Sequence, residues 1–107
     1  MNDLKKIIED NNIARIEKLI NEFEIWELEK IPYGKFKIKI FEALDGNFIG
    51  RTNLMVIDKT GEFCSGIGYG KNVEEALGDT IRYFYSLIDE VDNLNEQCFS
   101  YVDPTEF

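Results

Sequence analysis

The stretch Gly66-Ile67-Gly68-Tyr69-Gly70-Lys71-Asn72 is the first place in this chain where residue types and spacing suggest chemistry, because glycine-rich turns between a strand and a helix can cradle phosphates. The spacing argues otherwise. A dinucleotide fingerprint needs G-x-G-x-x-G after a parallel strand, and a phosphate-binding loop ends in Gly-Lys-Ser/Thr after four intervening residues. Here the pattern is G-x-G-x-G and the residue after Gly-Lys is Asn72. Glycines at 66 and 68 leave bare backbone on one face of a strand, against which a helix or partner can pack, and Gly70 permits the turn that follows.

Other catalytic constellations are scarce. The chain has no histidine, and its two cysteines, Cys64 and Cys98, lie far apart. A zinc site, a Cys-His nucleophile and a histidine base are therefore excluded, and Cys64 reads as a small core residue with Cys98 a bystander. Asp58 and Glu62 flank a turn, and Glu75 and Asp79 stand four apart on one helix, but neither pair carries the surroundings of a general acid and base. The expectation is no enzyme, no catalytic residue, no cofactor and no metal.

Charge is more informative. The 107 residues carry a net charge of −9, with eight basic and eight acidic groups in residues 1–40 and four basic against thirteen acidic ones in residues 41–107. From Tyr83 onward there is no Lys or Arg. Such a surface repels phosphate backbones and attracts basic proteins. No apolar run reaches the roughly 20 residues of a membrane helix, and residues 1–12 lack a secretion signal's apolar segment, so a cytoplasmic location is expected.

The elements that must position these groups follow from periodicity. One α+β domain over residues 1–107 is expected: a helical segment (1–24), an antiparallel sheet of three to four meander strands (25–70), a long helix (72–91) and an acidic tail (92–107). Leu4, Ile7, Ile8, Ile13, Ile16, Leu19, Ile20 and Phe23 recur at helical spacing, as a helical hairpin or as one helix disturbed at Asn11-Asn12. After Glu24 the period changes to two. A loop at Pro32-Tyr33-Gly34 predicts a hairpin in which Ile31 faces Lys35, Glu29 faces Lys37, Glu27 faces Lys39, Leu28 faces Ile38 and Trp26 faces Ile40.

Turns at Asp45-Gly46-Asn47 and Lys59-Thr60-Gly61 bound a third strand, in which Phe48, Leu54 and Val56 share the face of Phe36 and Ile38. Met55, Ile57, Phe63, Ile67 and Tyr69 fall on the opposite face, which a helix covers or which serves partner binding or a homodimer. Asn72 with Glu75 forms a capping-box pattern at the start of the long helix. In the tail, Cys98 to Val102 form a short added strand or order on a partner.

The order helix, hairpin-linked strands, then GIGYGKNVEEALGDTI resembles the end of a double-stranded RNA-binding domain over roughly residues 2–91, with an added strand at 25–31. That resemblance implies RNA contact through a basic helix start, of which Lys71 is matched, with Lys35, Lys37 and Lys39 as further candidates; Glu74 and Glu75 occupy positions where that family carries positive charge. The stretch GKNVEEAL after three strands also resembles HicB-type antitoxins over about residues 36–91. Those are acidic proteins that neutralise a small basic ribonuclease.

Charge and the lack of a catalytic set converge on an acidic inhibitor that binds a basic, nucleic-acid-handling protein such as a nuclease or guide-RNA effector. Phage anti-defence proteins of the anti-CRISPR kind, immunity proteins and antitoxins work by this physics. The expected contact residues are Glu74, Glu75, Asp79, Asp89, Glu90, Asp92 and Glu96, with Tyr83, Tyr85 and Tyr101 as flat anchors.

Overall fold

The computed structural model describes residues 2–107, so Met1 of the expected helical segment lies outside the described residues. The chain is α+β: α1 (Asn2–Asn11), β1 (Lys18–Trp26), β2 (Lys35–Glu42), β3 (Phe48–Ile57), β4 (Phe63–Gly70), α2 (Val73–Asp89), a 3₁₀ turn (Glu96–Cys98) and β5 (Phe99–Tyr101). Strands β1 to β4 form an antiparallel meander in sequence order, and β5 joins β3.

The helical reading of residues 13–23 is corrected. Helix α1 ends at Asn11, whose side-chain amide donates back to the Ile7 carbonyl at 3.0 Å, and Asn12 turns the chain with φ of 54°. The apolar groups at 16, 19, 20 and 23 fit a helical stripe, but residues 22–25 also alternate polar and apolar, and pairing with β2 decides in favour of a strand. Phe23 and Ile25 then pack toward the core while Glu22 and Glu24 turn to the opposite face.

The predicted hairpin register is corrected with it. Trp26 pairs with Lys35, Glu24 with Lys37 and Glu22 with Lys39, so the connection runs from Glu27 to Gly34. Its shape has a local cause: the Glu27 carboxylate accepts the Glu29 and Lys30 amides, and Ile31 folds inward to 4% exposure. Gly34 takes the positive φ, 77°, that closes the loop. The lysines are still faced by glutamates, with Glu24 3.2 Å from Lys35 and Glu22 4.0 Å from both Lys37 and Lys39.

The core lies between the sheet and α2. Leu54 and Val56 share the face of Phe36 and Ile38 as expected; that face, with Ile40, points at the helix, and Phe84 packs on Phe36 at a tilt with ring centres 5.2 Å apart. Helix α2 therefore covers the even-numbered face and not Met55, Ile57, Phe63, Ile67 and Tyr69, for which helical cover was one of the two expectations. The reason is steric. A Cβ on Gly66 would meet Phe84 Cβ at 2.6 Å, and one on Gly68 would meet the backbone of Asp79 and Thr80 at 2.6 Å. Glycine occupies the positions where the helix touches the strand, whereas Ile67 and Tyr69 stand up on the other side.

Gly68→Ala should therefore cost about 2–3 kcal/mol in urea unfolding, because helix backbone cannot step aside as a side chain can. Gly46→Ala, where φ is 86° and the space is open, should cost about 1 kcal/mol from backbone conformation alone.

Candidate functional site

The contacts at Gly66, Gly68 and Gly70 fix the direction of α2. Gly70 lies against Ala76, Gly68 against Thr80 and Gly66 against Phe84. Four strand residues advance about 13 Å and eight helix residues about 12 Å, so α2 runs antiparallel to β4 and nearly in line with it. Its start is closed by the expected cap: Asn72 Oδ1 accepts the Glu75 amide at 2.8 Å, and the Glu75 carboxylate reaches the Asn72 side-chain amide at 3.1 Å. Its end is thereby carried to the turn between β3 and β4.

At that end Glu90, Val91 and Asp92 meet Ile57, Asp58, Lys59, Leu87 and Cys98 around a cleft of about 360 Å³. The floor is apolar and the rim carries three carboxylates and one ammonium. Glu90 is the C-cap, Asp89 lies in the last turn, and that turn holds no basic residue. Acids here oppose the helix dipole, at about 0.3–1 kcal/mol each. Lys30 lies 3.9 Å from Asp89, but the carboxylate of this pair is 68% exposed, so the compensation is small.

Asp58 is the most perturbed acid. Its Oδ1 accepts from the Thr60 hydroxyl at 2.6 Å and the Thr60 amide at 2.8 Å, and its Oδ2 accepts from Cys64 Sγ at 3.3 Å. The Thr60 hydroxyl, then Cys64 and the Glu62 amide, pull its pKa from 3.8 to about 2. Cys64 is pushed the other way, first by that hydrogen bond and then by burial and the charges of Asp58 and Glu62, so it stays a thiol. Among the described residues no three acids or cysteines gather as a metal site. No helix among them is long and apolar enough to cross a membrane.

The expected contact residues fall into separate groups. Glu74 and Glu75 sit at the start of α2, with Glu75 engaged in the cap, about 25 Å from the end of this 17-residue helix. Midway, Asp79 Oδ2 accepts the Tyr69 amide at 2.8 Å, and Tyr83 stands beside it at 47% exposure. Asp89, Glu90 and Asp92 form the acidic end. Glu96 belongs to a neighbouring shallow cleft with Glu29, Lys30 and Pro32.

Two of the expected anchors serve the chain itself. Tyr85 lies under the Lys30 ammonium, 4.6 Å from the ring centre, and burial, then Glu27, raises its pKa. Tyr101 packs on Tyr33 at 5.1 Å and donates its hydroxyl to the Lys35 carbonyl at 2.9 Å. Of the proposed homodimer face, Phe63, Ile67 and Tyr69 are exposed while Met55 and Ile57 are half-buried.

Asp58, Lys59 and Cys98 were not among the expected contact residues. The signal that would have added them is the helix direction implied by the glycine spacing. Comparison of the chain with family models, with curated proteins and with solved structures finds no match in any of the three.

The depressed Asp58 pKa makes a contribution to stability that is complete above pH 3.8 and is lost as pH falls through about 2. Asp58→Asn should therefore lower the unfolding midpoint at neutral pH, and the gap from the parent chain should narrow between pH 4 and pH 2. A gap independent of pH would mean that the turn depends on the shape of this side chain and not on its charge.

Proposed function

We propose that this chain is a non-enzymatic acidic inhibitor that binds and blocks a basic, nucleic-acid-handling protein, as phage anti-defence proteins of the anti-CRISPR kind, immunity proteins and antitoxins do. The observation that carries the reading is the acidic end of α2. There Asp58, Glu90 and Asp92 outnumber Lys59 around a cleft with an apolar floor, beside a helix C-terminus whose last turn holds no basic residue. A Lys or Arg side chain of a partner fits such a place, since its stem covers the apolar floor and its charge meets the carboxylates and the negative end of the dipole. The lysine stripe supports the double-stranded RNA reading less well, because Lys35, Lys37 and Lys39 each face a glutamate of β1.

Co-purification from the native host followed by mass spectrometry should recover a basic nuclease or guide-RNA effector. The double variant Glu90→Lys with Asp92→Lys should weaken capture of that partner about 10- to 100-fold at low salt, chiefly through slower association. Glu9→Lys in α1, with the same sign of change on an exposed helix, should leave capture within a few fold. Equal loss in both would reduce the effect to net charge and remove the site.

A further inference from the structure

The sheet has two outer edges, and they are treated differently. Strand β1 carries Lys18, Glu22 and Glu24 and a register break between Leu19 and Asn21, which blunt its edge. Strand β4, Phe63–Gly70, has no charged residue and no proline. In an antiparallel ladder alternate residues turn both backbone groups toward the neighbouring strand and the residues between turn both away. The Gly66 amide donates toward β3, to Thr52 Oγ1 at 2.8 Å, so Phe63, Ser65, Ile67 and Tyr69 point outward. Asp79 takes the Tyr69 amide. Those of Ser65 and Ile67 face a groove of about 620 Å³ along the edge, walled by Asp79 and Tyr83 of α2.

We propose that this groove takes an extended, basic segment of the partner, which adds as a strand beside Phe63–Tyr69 through the Ser65 and Ile67 backbone. The proposal rests on the inhibitor reading for the charge of the partner and adds the mode of engagement. Main-chain pairing supplies affinity in such strand addition, and the flanking side chains supply selectivity. Exposed Ile67 and Tyr83 offer apolar contact, Asp79 lines the groove, and at the Phe63 end Asp58 reaches Cys64 and Glu62 precedes the strand, so that these three acids outnumber Lys59 and Arg82. A second copy of this chain is the less favoured occupant, because it would bring two net charges of −9 together. The Asp79 carboxylate ends the free edge at Tyr69, so the added strand lies toward the Phe63 end.

The test is hydrogen–deuterium exchange of the intact chain with two synthetic probes about nine residues long, one alternating valine with lysine and one alternating valine with glutamate. The lysine peptide should slow exchange at Ser65 and Ile67 at least about tenfold and leave β1 unchanged, while the glutamate peptide should have no effect. Ile67→Pro removes one donor at an edge position that tolerates proline; it should abolish the protection while the amides of α2 and β2 exchange as before. If that variant unfolds, Ser65→Pro serves instead. No protection by the lysine peptide, equal protection by both peptides, or protection at β1 would overturn the proposal. So would protection without peptide that rises with protein concentration alongside a dimer in sedimentation, which would make a second copy the occupant. Edge protection that survives while Glu90→Lys with Asp92→Lys leaves partner capture intact would overturn the inhibitor reading instead.

Discussion

One contact between α2 and bare strand, at Gly66, Gly68 and Gly70 of β4 with Gly50 of β3 beside them under Thr80, is too close for any Cβ. Most of the architecture depends on it. A helix can descend onto a sheet to that depth only where no Cβ intervenes, so the glycines choose the face that is covered, the strands the helix lies over and the direction it runs. Thr80 fits the contact because its hydroxyl is satisfied within the helix, donating to the Ala76 carbonyl at 2.7 Å, and among the described residues no buried side-chain nitrogen or oxygen lacks a partner.

Deep seating of α2 also requires the sheet beneath it to yield. The β3–β4 register shifts between Arg51 and Met55, and buried Thr52 fills the gap: its hydroxyl accepts the Gly66 amide at 2.8 Å and donates to the Leu54 carbonyl at 2.7 Å. At the same level β2 leaves β3. Their pairing ends at Ile38 with Thr52, and β5 takes over the vacated edge from Leu54 to Val56. The substitution is stitched by Asn53, whose side chain accepts the Lys37 amide at 2.7 Å while its carbonyl accepts that of Val102 at 2.7 Å. Segment 99–107, acidic in composition, is thus built into the fold. Phe99 enters the core, and Phe107 lies over the Lys39 ammonium at 4.3 Å.

Strands β2 to β4, the capped helix and the turns at Gly46 and Gly61 were legible because each depends on neighbours in sequence: alternation, an Asn-to-Glu spacing, a glycine at positive φ. The errors arose where distant pairing decides. Residues 16–23 keep a helical period and residues 22–25 alternate, so the two signals overlap, and only β2, beginning nine residues after β1 ends, selects the strand. The hairpin register failed because Glu27 builds a local cap that no tight-turn rule contains. Of the acidic surface, composition conveyed the sign and the half of the chain involved. It could not convey that Asp58 joins Glu90 and Asp92, since that follows from the direction of α2.

That direction bears on function. Had α2 run the other way, its positive end would face Asp58 and stabilise that carboxylate. Instead the packing forced by the glycines brings the negative end of the dipole, Asp89, Glu90 and Asp92 to the turn that carries Asp58 and Glu62. Each contribution is small in water, and an isolated surface charge decides little. Several of one sign around an apolar cleft act differently, because the low-dielectric floor focuses their field and an incoming cation meets all of them together. By fixing the helix, the glycine run concentrates negative charge at one end of the fold.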